Sequence, residues 1–166
     1  MRCIAVLLSV LLLACTQSPP PPQPHFIAFV KNELNLPIVL GTINIDPSLP
    51  DLHPPAIRLG IDRTAAHTSI FASPQTVAKL ATLIPGSTLQ QRQDSAGNTV
   101  RFCRFPNGRV TVGDVSLDIP VDAVAATGEL DSGIDGVIGN DFLSHFNLRL
   151  DFRSNVMVLT RRPQKD

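Results

Sequence analysis

Between Arg109 and Val124 apolar side chains recur at every second position: Val110 and Val112 before Gly113-Asp114, then Val115, Leu117, Ile119 and Val121 after it. A period of two puts alternate residues on opposite faces, so a helix would scatter these side chains around its axis, whereas two half-buried strands joined by a two-residue turn collect them on one side. The rest of the core must suit that hairpin. With no Trp and no Tyr in the chain, burial falls to Leu, Ile, Val and Phe, and the β-branched members favour strands. A length of 166 residues allows one modest domain with one core. The expectation is an all-β domain.

Other segments follow the same logic. Leu36 to Ile45 alternates through Ile38, Leu40, Thr42 and Asn44 and predicts a strand, followed by a loop rich in Pro and Asp. Ala56 to Ile61 predicts a strand ending at Asp62, and Ser69 to Phe71 a short one. Ser73-Pro74 then has the order of a helix start, cap first and proline at the first helical position, with Val77, Leu80 and Ala81 as the buried face and a stop near Pro85-Gly86. Leu89 to Phe105 predicts a hairpin with its polar tip at Asp94 to Asn98 and an outgoing arm alternating through Val100, Phe102 and Arg104. At the end, Leu148, Leu150 and Phe152 lead to a turn at Arg153-Ser154-Asn155 and a returning strand from Val156 to Leu159.

The N-terminus carries a different signal. One positive charge at Arg2, an apolar run from Ile4 to Leu13 and a small residue before Cys15 make a secretory signal over residues 1–14, too short for a permanent membrane span. Leu12-Leu13-Ala14-Cys15 looks like a bacterial lipoprotein lipobox, which implies cleavage before Cys15 and lipidation of its thiol. That anchor, with Thr16 rather than aspartate after the cysteine, implies the outer membrane of a Gram-negative envelope, facing the periplasm. Residues 15–35 are then the lipidated cysteine and a linker stiffened by the prolines of Ser18 to Pro24, and residues 36–162 the domain.

Two stretches carry chemistry. Leu59 to Phe71, L-G-I-D-R-T-A-A-H-T-S-I-F, delivers one carboxylate, Asp62, from an apolar strand to a turn of small residues. Asp135 to Phe146, D-G-V-I-G-N-D-F-L-S-H-F, joins a buried-strand signal at Val137 and Ile138 to Gly139 and a short helix opened by Asn140 or Asp141. Together, over roughly Leu36 to Leu159, they resemble the retropepsin-like aspartic peptidases, in which a strand ends in D-[ST]-G-A and an apolar-apolar-Gly segment runs beside it. The resemblance implies a single-lobe closed β-barrel with one or two short helices and Asp62 as the catalytic residue. It also implies Ala65 and Ala66 beside the substrate, and Ala96, Gly97 and Asn98 as the tip of a flap. One lobe supplies one aspartate, so it further implies a homodimer acting on an extended peptide or protein.

The first motif departs from the family pattern: Asp62-Arg63-Thr64-Ala65-Ala66 keeps the acid and the alanine but has Arg63 for the hydroxyl, Thr64 for the glycine and Ala66 for the trailing Ser or Thr. An Arg63 guanidinium beside Asp62 would lower its pKa and oppose a shared proton. Two readings stay open, an active endopeptidase and a peptidase-fold module that binds an extended peptide or an envelope partner without cutting it. Other chemistries fare worse. Fourteen basic against fourteen acidic residues, with no basic cluster, exclude nucleic acid as a partner. His25, His53, His67 and His145 lack ligand spacing, so no metal is expected, and no motif for any cofactor is present. No nucleophile-elbow glycines flank a serine. The literal Asp131-Ser132-Gly133 follows no apolar strand and leaves no room for helix or flap before the second motif, so it is read as loop. Past Cys15 only Cys103 remains, which excludes an internal disulfide and leaves burial or an intermolecular bridge for that thiol.

Overall fold

Every strand expected from the alternation is present, and two more precede them. The structure, a computed structural model, describes residues 21–46, 55–93, 97–126 and 133–163. The signal segment 1–14, Cys15, the tip residues Asp94, Ser95 and Ala96, and Asp131 and Ser132 lie outside the described residues. In chain order the elements are β1 (Pro24–Ala28), β2 (Val30–Lys31), β3 (Pro37–Asn44), β4 (Ile57–Ile61), β5 (Ser69–Ala72), α1 (Pro74–Leu83), β6 (Thr88–Gln93), β7 (Thr99–Val112), β8 (Val115–Ala125), β9 (Gly136–Ile138), α2 (Asn140–Leu143), β10 (Phe146–Asp151) and β11 (Val156–Arg161).

The larger sheet runs β2-β3-β4-β9-β5-β8-β7-β6, and a further pairing of β3 with β7 closes its middle six strands into a ring. Val39, Leu59, Val110, Val112, Val121 and Ile138 pack into that ring, and the alternation of β7 and β8 about Gly113-Asp114 is what supplies their shared face. A second sheet, β1-β11-β10, adds Ile27, Met157 and Leu159 to the same core. Behind β7 and β8, α1 buries Val77 on Cys103, Phe105, Ala123 and Ala125. Its start is as expected, with the Ser73 side chain accepting from the Thr76 amide and proline in the first turn. Cys103 is a free, buried thiol whose pKa is raised by that burial.

Three expectations need correction. The folded part begins before Leu36: β1 pairs antiparallel with β11 from Pro24 to Ala28, and Val30 and Lys31 pair with β3, so the end of the supposed linker is strand. Hydrophobicity at Phe26, Ile27 and Phe29 is too brief to show a period, and its partner lies at the far end of the chain. The two central hairpins are not separate, because β7 runs unbroken from Thr99 to Val112 and serves both. A bulge between Phe105 and Gly108 bends it where Pro106 has no amide to donate, so the first half pairs with β6 and the second half turns back to close the ring on β3. Finally, α2 is capped by Gly139 and not by Asn140 or Asp141, with no side-chain cap bond.

Candidate active site

β4 ends at Ile61, and Asp62 stands at the mouth of the turn that leads to β5. Between these two arms lies β9, parallel to β4 from Leu59↔Gly136 to Ile61↔Ile138 and antiparallel to β5 at Ser69↔Val137. A strand slotted between the arms of one turn must come very close to the backbone around it. A Cβ on Gly139 would fall 2.5 Å from the His67 carbonyl carbon and 2.8 Å from the Thr68 nitrogen, and one on Gly136 would fall 2.3 Å from the Ser69 oxygen, so only glycine fits at either place. The register is pinned at its start by Asp135, whose carboxylate accepts from the Arg58 amide at 2.8 Å and whose own amide donates to the Arg58 carbonyl at 2.7 Å.

Main-chain bonds then sew the turn to the second motif. The Asp62 amide donates to the Ile138 carbonyl, the Asn140 amide to the Ala65 carbonyl at 2.7 Å, and the Asp141 amide to the Ala66 carbonyl at 3.3 Å. The pivot is Thr68, fully buried: its hydroxyl donates to Asp141 Oδ1 at 2.7 Å and accepts from the Gly139 amide at 3.1 Å, while its amide donates to the same carboxylate at 2.9 Å. Thr68 and Asp141 are the functional residues that sequence reasoning missed. They stand 73 positions apart, and a threonine beside a turn carries no local sign of its partner. His67 turns to Asp141 as well, its Nδ1 3.7 Å from Oδ2, rather than to Asp62.

Asp62 itself is partly exposed, and Thr64 holds it. The Thr64 hydroxyl donates to Oδ1 at 2.6 Å and the Thr64 amide to the same oxygen at 2.8 Å. That hydroxyl bond is the chief reason the Asp62 carboxyl lies below its ordinary pKa; partial burial opposes it, and the Thr64 and Ala65 amides add to it. Arg63 is exposed and plays no part in the depression, so the effect expected of its guanidinium is exerted by its neighbour instead. Ala65 is half-buried and Ala66 exposed, and their carbonyls are taken by the Asn140 and Asp141 amides. Gly97 and Asn98 lie on the far side of the hairpin tip from β6, both exposed, and Ala96 is outside the described residues.

The other polar centre is Asp122 on β8, a buried carboxylate that accepts from Arg104 Nε at 2.8 Å and Nη2 at 3.0 Å, and from Arg92 at 3.4 Å. Its amide donates to the Thr68 carbonyl, which joins it to the Asp62 turn. Arg104 continues the alternation of Val100 and Phe102 as a charged residue, and the fork of its guanidinium on Asp122 is what that position accommodates.

No family model matches the sequence, and no curated protein sequence matches it. Among solved structures, the chain is similar to the crystal structure of a retropepsin-like aspartic protease from Rickettsia conorii, with a TM-score of 0.51 and 15% identity over 84% of this chain and 94% of that one. The fold is retropepsin-like. At that identity the likeness concerns the path of the backbone.

Proposed function

We infer that the chain is a retropepsin-like aspartic endopeptidase, lipid-anchored through Cys15 on the periplasmic side of the outer membrane and acting on peptides or proteins as a homodimer. The observation that supports it is the position of Asp62: a partly exposed carboxylate at the end of a ring strand, in a turn that hydrogen bonds and two close-approach glycines hold against β9 and α2. One such carboxylate cannot both hold and withdraw a proton. Two copies of Asp62 across a two-fold axis can, since like charges at close range cannot both ionise and the pair shares one proton. The ionised member takes a proton from water as that water attacks the peptide carbonyl, and the protonated member gives its proton to the carbonyl oxygen. Each β6–β7 hairpin would cover the extended substrate and exclude solvent.

The second reading, a module that binds an extended peptide without cutting it, draws support from Thr64. Its hydroxyl stabilises the ionised form of Asp62 and so works against the shared proton. One experiment separates the two. The intact chain and Asp62→Ala are incubated with a degenerate peptide library between about pH 3 and 7, both having been shown to fold. Cleavage by the parent that disappears in the variant establishes the peptidase; peptide retention by both proteins without cleavage establishes the binding module.

A further inference from the structure

The six residues of β6 are all exposed, and in the sheet the strand pairs with β7 alone. Its ladder with β7 runs from Thr88 to Gln93, but β7 pairs with β8 only from Phe102 onward, so among the described residues a tie from the outer end of the hairpin to the ring has to come from side chains. Arg92, near the tip end of β6, supplies it: the guanidinium lies 5.0 Å from the centre of the Phe102 ring and reaches across β7 to Asp122 Oδ2 at 3.4 Å. Asp122 does not depend on this contact. Arg104 already grips both of its oxygens in a short two-point fork, whereas Arg92 makes one long bond and stays 42% exposed. The two arginines therefore differ in kind, one a fixed counterion and the other a partner that can leave without stranding a buried charge.

We propose that Arg92 is a releasable clasp, with Asp122 as its catch, that sets how firmly the β6–β7 hairpin is held against β8. Because the Asp122 amide bonds Thr68 and Thr68 holds Gly139 and Asp141, the catch sits on the backbone that also fixes the Asp62 turn. On the peptide-cleft reading, the clasp tunes admission of the substrate strand. Arg92 is then a positioning residue, acting through the hairpin and not on the reacting atoms.

Hydrogen exchange of the intact chain, followed peptide by peptide, tests the clasp without requiring cleavage. Arg92→Met is expected to speed exchange of the β6 amides and of Thr99 to Arg104 by about fivefold, with the melting temperature unchanged, because one long ion pair and one cation–π contact are lost locally while the buried Asp122 keeps the two-point fork of Arg104. About 1 M salt should do the same to the parent and add little to the variant. Arg104→Met should instead lower the melting temperature, since it strips a buried carboxylate. Unchanged exchange in Arg92→Met overturns the proposal, and so does a loss of global stability matching that of Arg104→Met, which would make Arg92 a mere structural prop. If the parent cuts peptides, Arg92→Met should change KM while kcat stays near its parental value; a loss confined to kcat overturns the clasp. A parent that cuts nothing, with the exchange result as expected, would retire the peptidase reading and leave the clasp standing.

Discussion

The Thr64 hydroxyl is the largest of the contributions that lower the Asp62 pKa. Thr64 donates to Oδ1 through both its side chain and its amide, so removing the hydroxyl in Thr64→Val should raise the Asp62 pKa toward 3.8, while Arg63→Ala should leave it in place. Carbon-detected NMR titration of the carboxyl group measures both. The sign for stability follows from the depression: the bond contributes fully above the unfolded value near 3.8 and is lost as pH falls through the lower folded pKa. For so exposed a group the contribution is about 1 kcal/mol. In an active dimer, the same substitution should move the acidic limb of the pH–rate profile to higher pH, because the member that must be ionised becomes a stronger base. In the sequence Arg63 is the neighbour with the charge to lower the Asp62 pKa, yet in the fold Thr64 is the donor. Which of two adjacent side chains faces an oxygen is set by the dihedrals of the turn, and those are fixed by what the turn packs against.

At the scale of elements, β9 and the two arms around it form one unit with little tolerance. Thr68→Val removes the hydroxyl that serves both Asp141 and the Gly139 amide, leaving the buried Gly139 amide without that acceptor and the half-buried Asp141 carboxylate with only the Thr68 and Phe142 amides, and should cost about 2 kcal/mol in urea unfolding. Thr68→Ser, which keeps the hydroxyl, should recover most of that. Gly139→Ala places a methyl group against backbone atoms that cannot step aside, and about 3 kcal/mol is expected in the same measurement. If both motifs merely lay near each other, neither change would reach 1 kcal/mol. The second motif could be read from its residues because apolar pairs and glycines have strong local meaning. Its cap could not: the Asp141 carboxylate accepts from Thr68, distant in the chain, and from the adjacent Phe142 amide, and the cap position falls to Gly139.

For the whole molecule, the ring closes because β7 bends. The bulge at Pro106-Asn107 lets one strand pair with β6 at one end and β3 at the other, and the same closure delivers Asp122 to the back of the Asp62 turn. On the proposed mechanism, however, one lobe supplies only one of the two aspartates. Cleavage per protomer should therefore rise with protein concentration and level off as dimers fill, and mixing the parent with excess Asp62→Ala should depress activity as the square of the parental fraction in that plateau. Activity strictly proportional to protein at every dilution, with no loss on mixing, would remove the shared-dyad mechanism.

Taken alone, the residues determined the class of fold. Alternation at Val110 to Val121, the capped start at Ser73-Pro74 and the glycines of the second motif each act over a few positions, where side-chain period and backbone freedom leave few choices. Tertiary structure decided the rest: that β1 and β2 belong to the domain, that one strand serves two hairpins, that Thr64 rather than Arg63 governs Asp62, and that Thr68, Asp141, Asp122 and Arg104 form its support. Each of those outcomes depends on a partner distant in the chain, or on a turn shaped by one. A hydrogen bond or a strand pair has no signature in the residue that makes it until the fold has chosen what lies opposite.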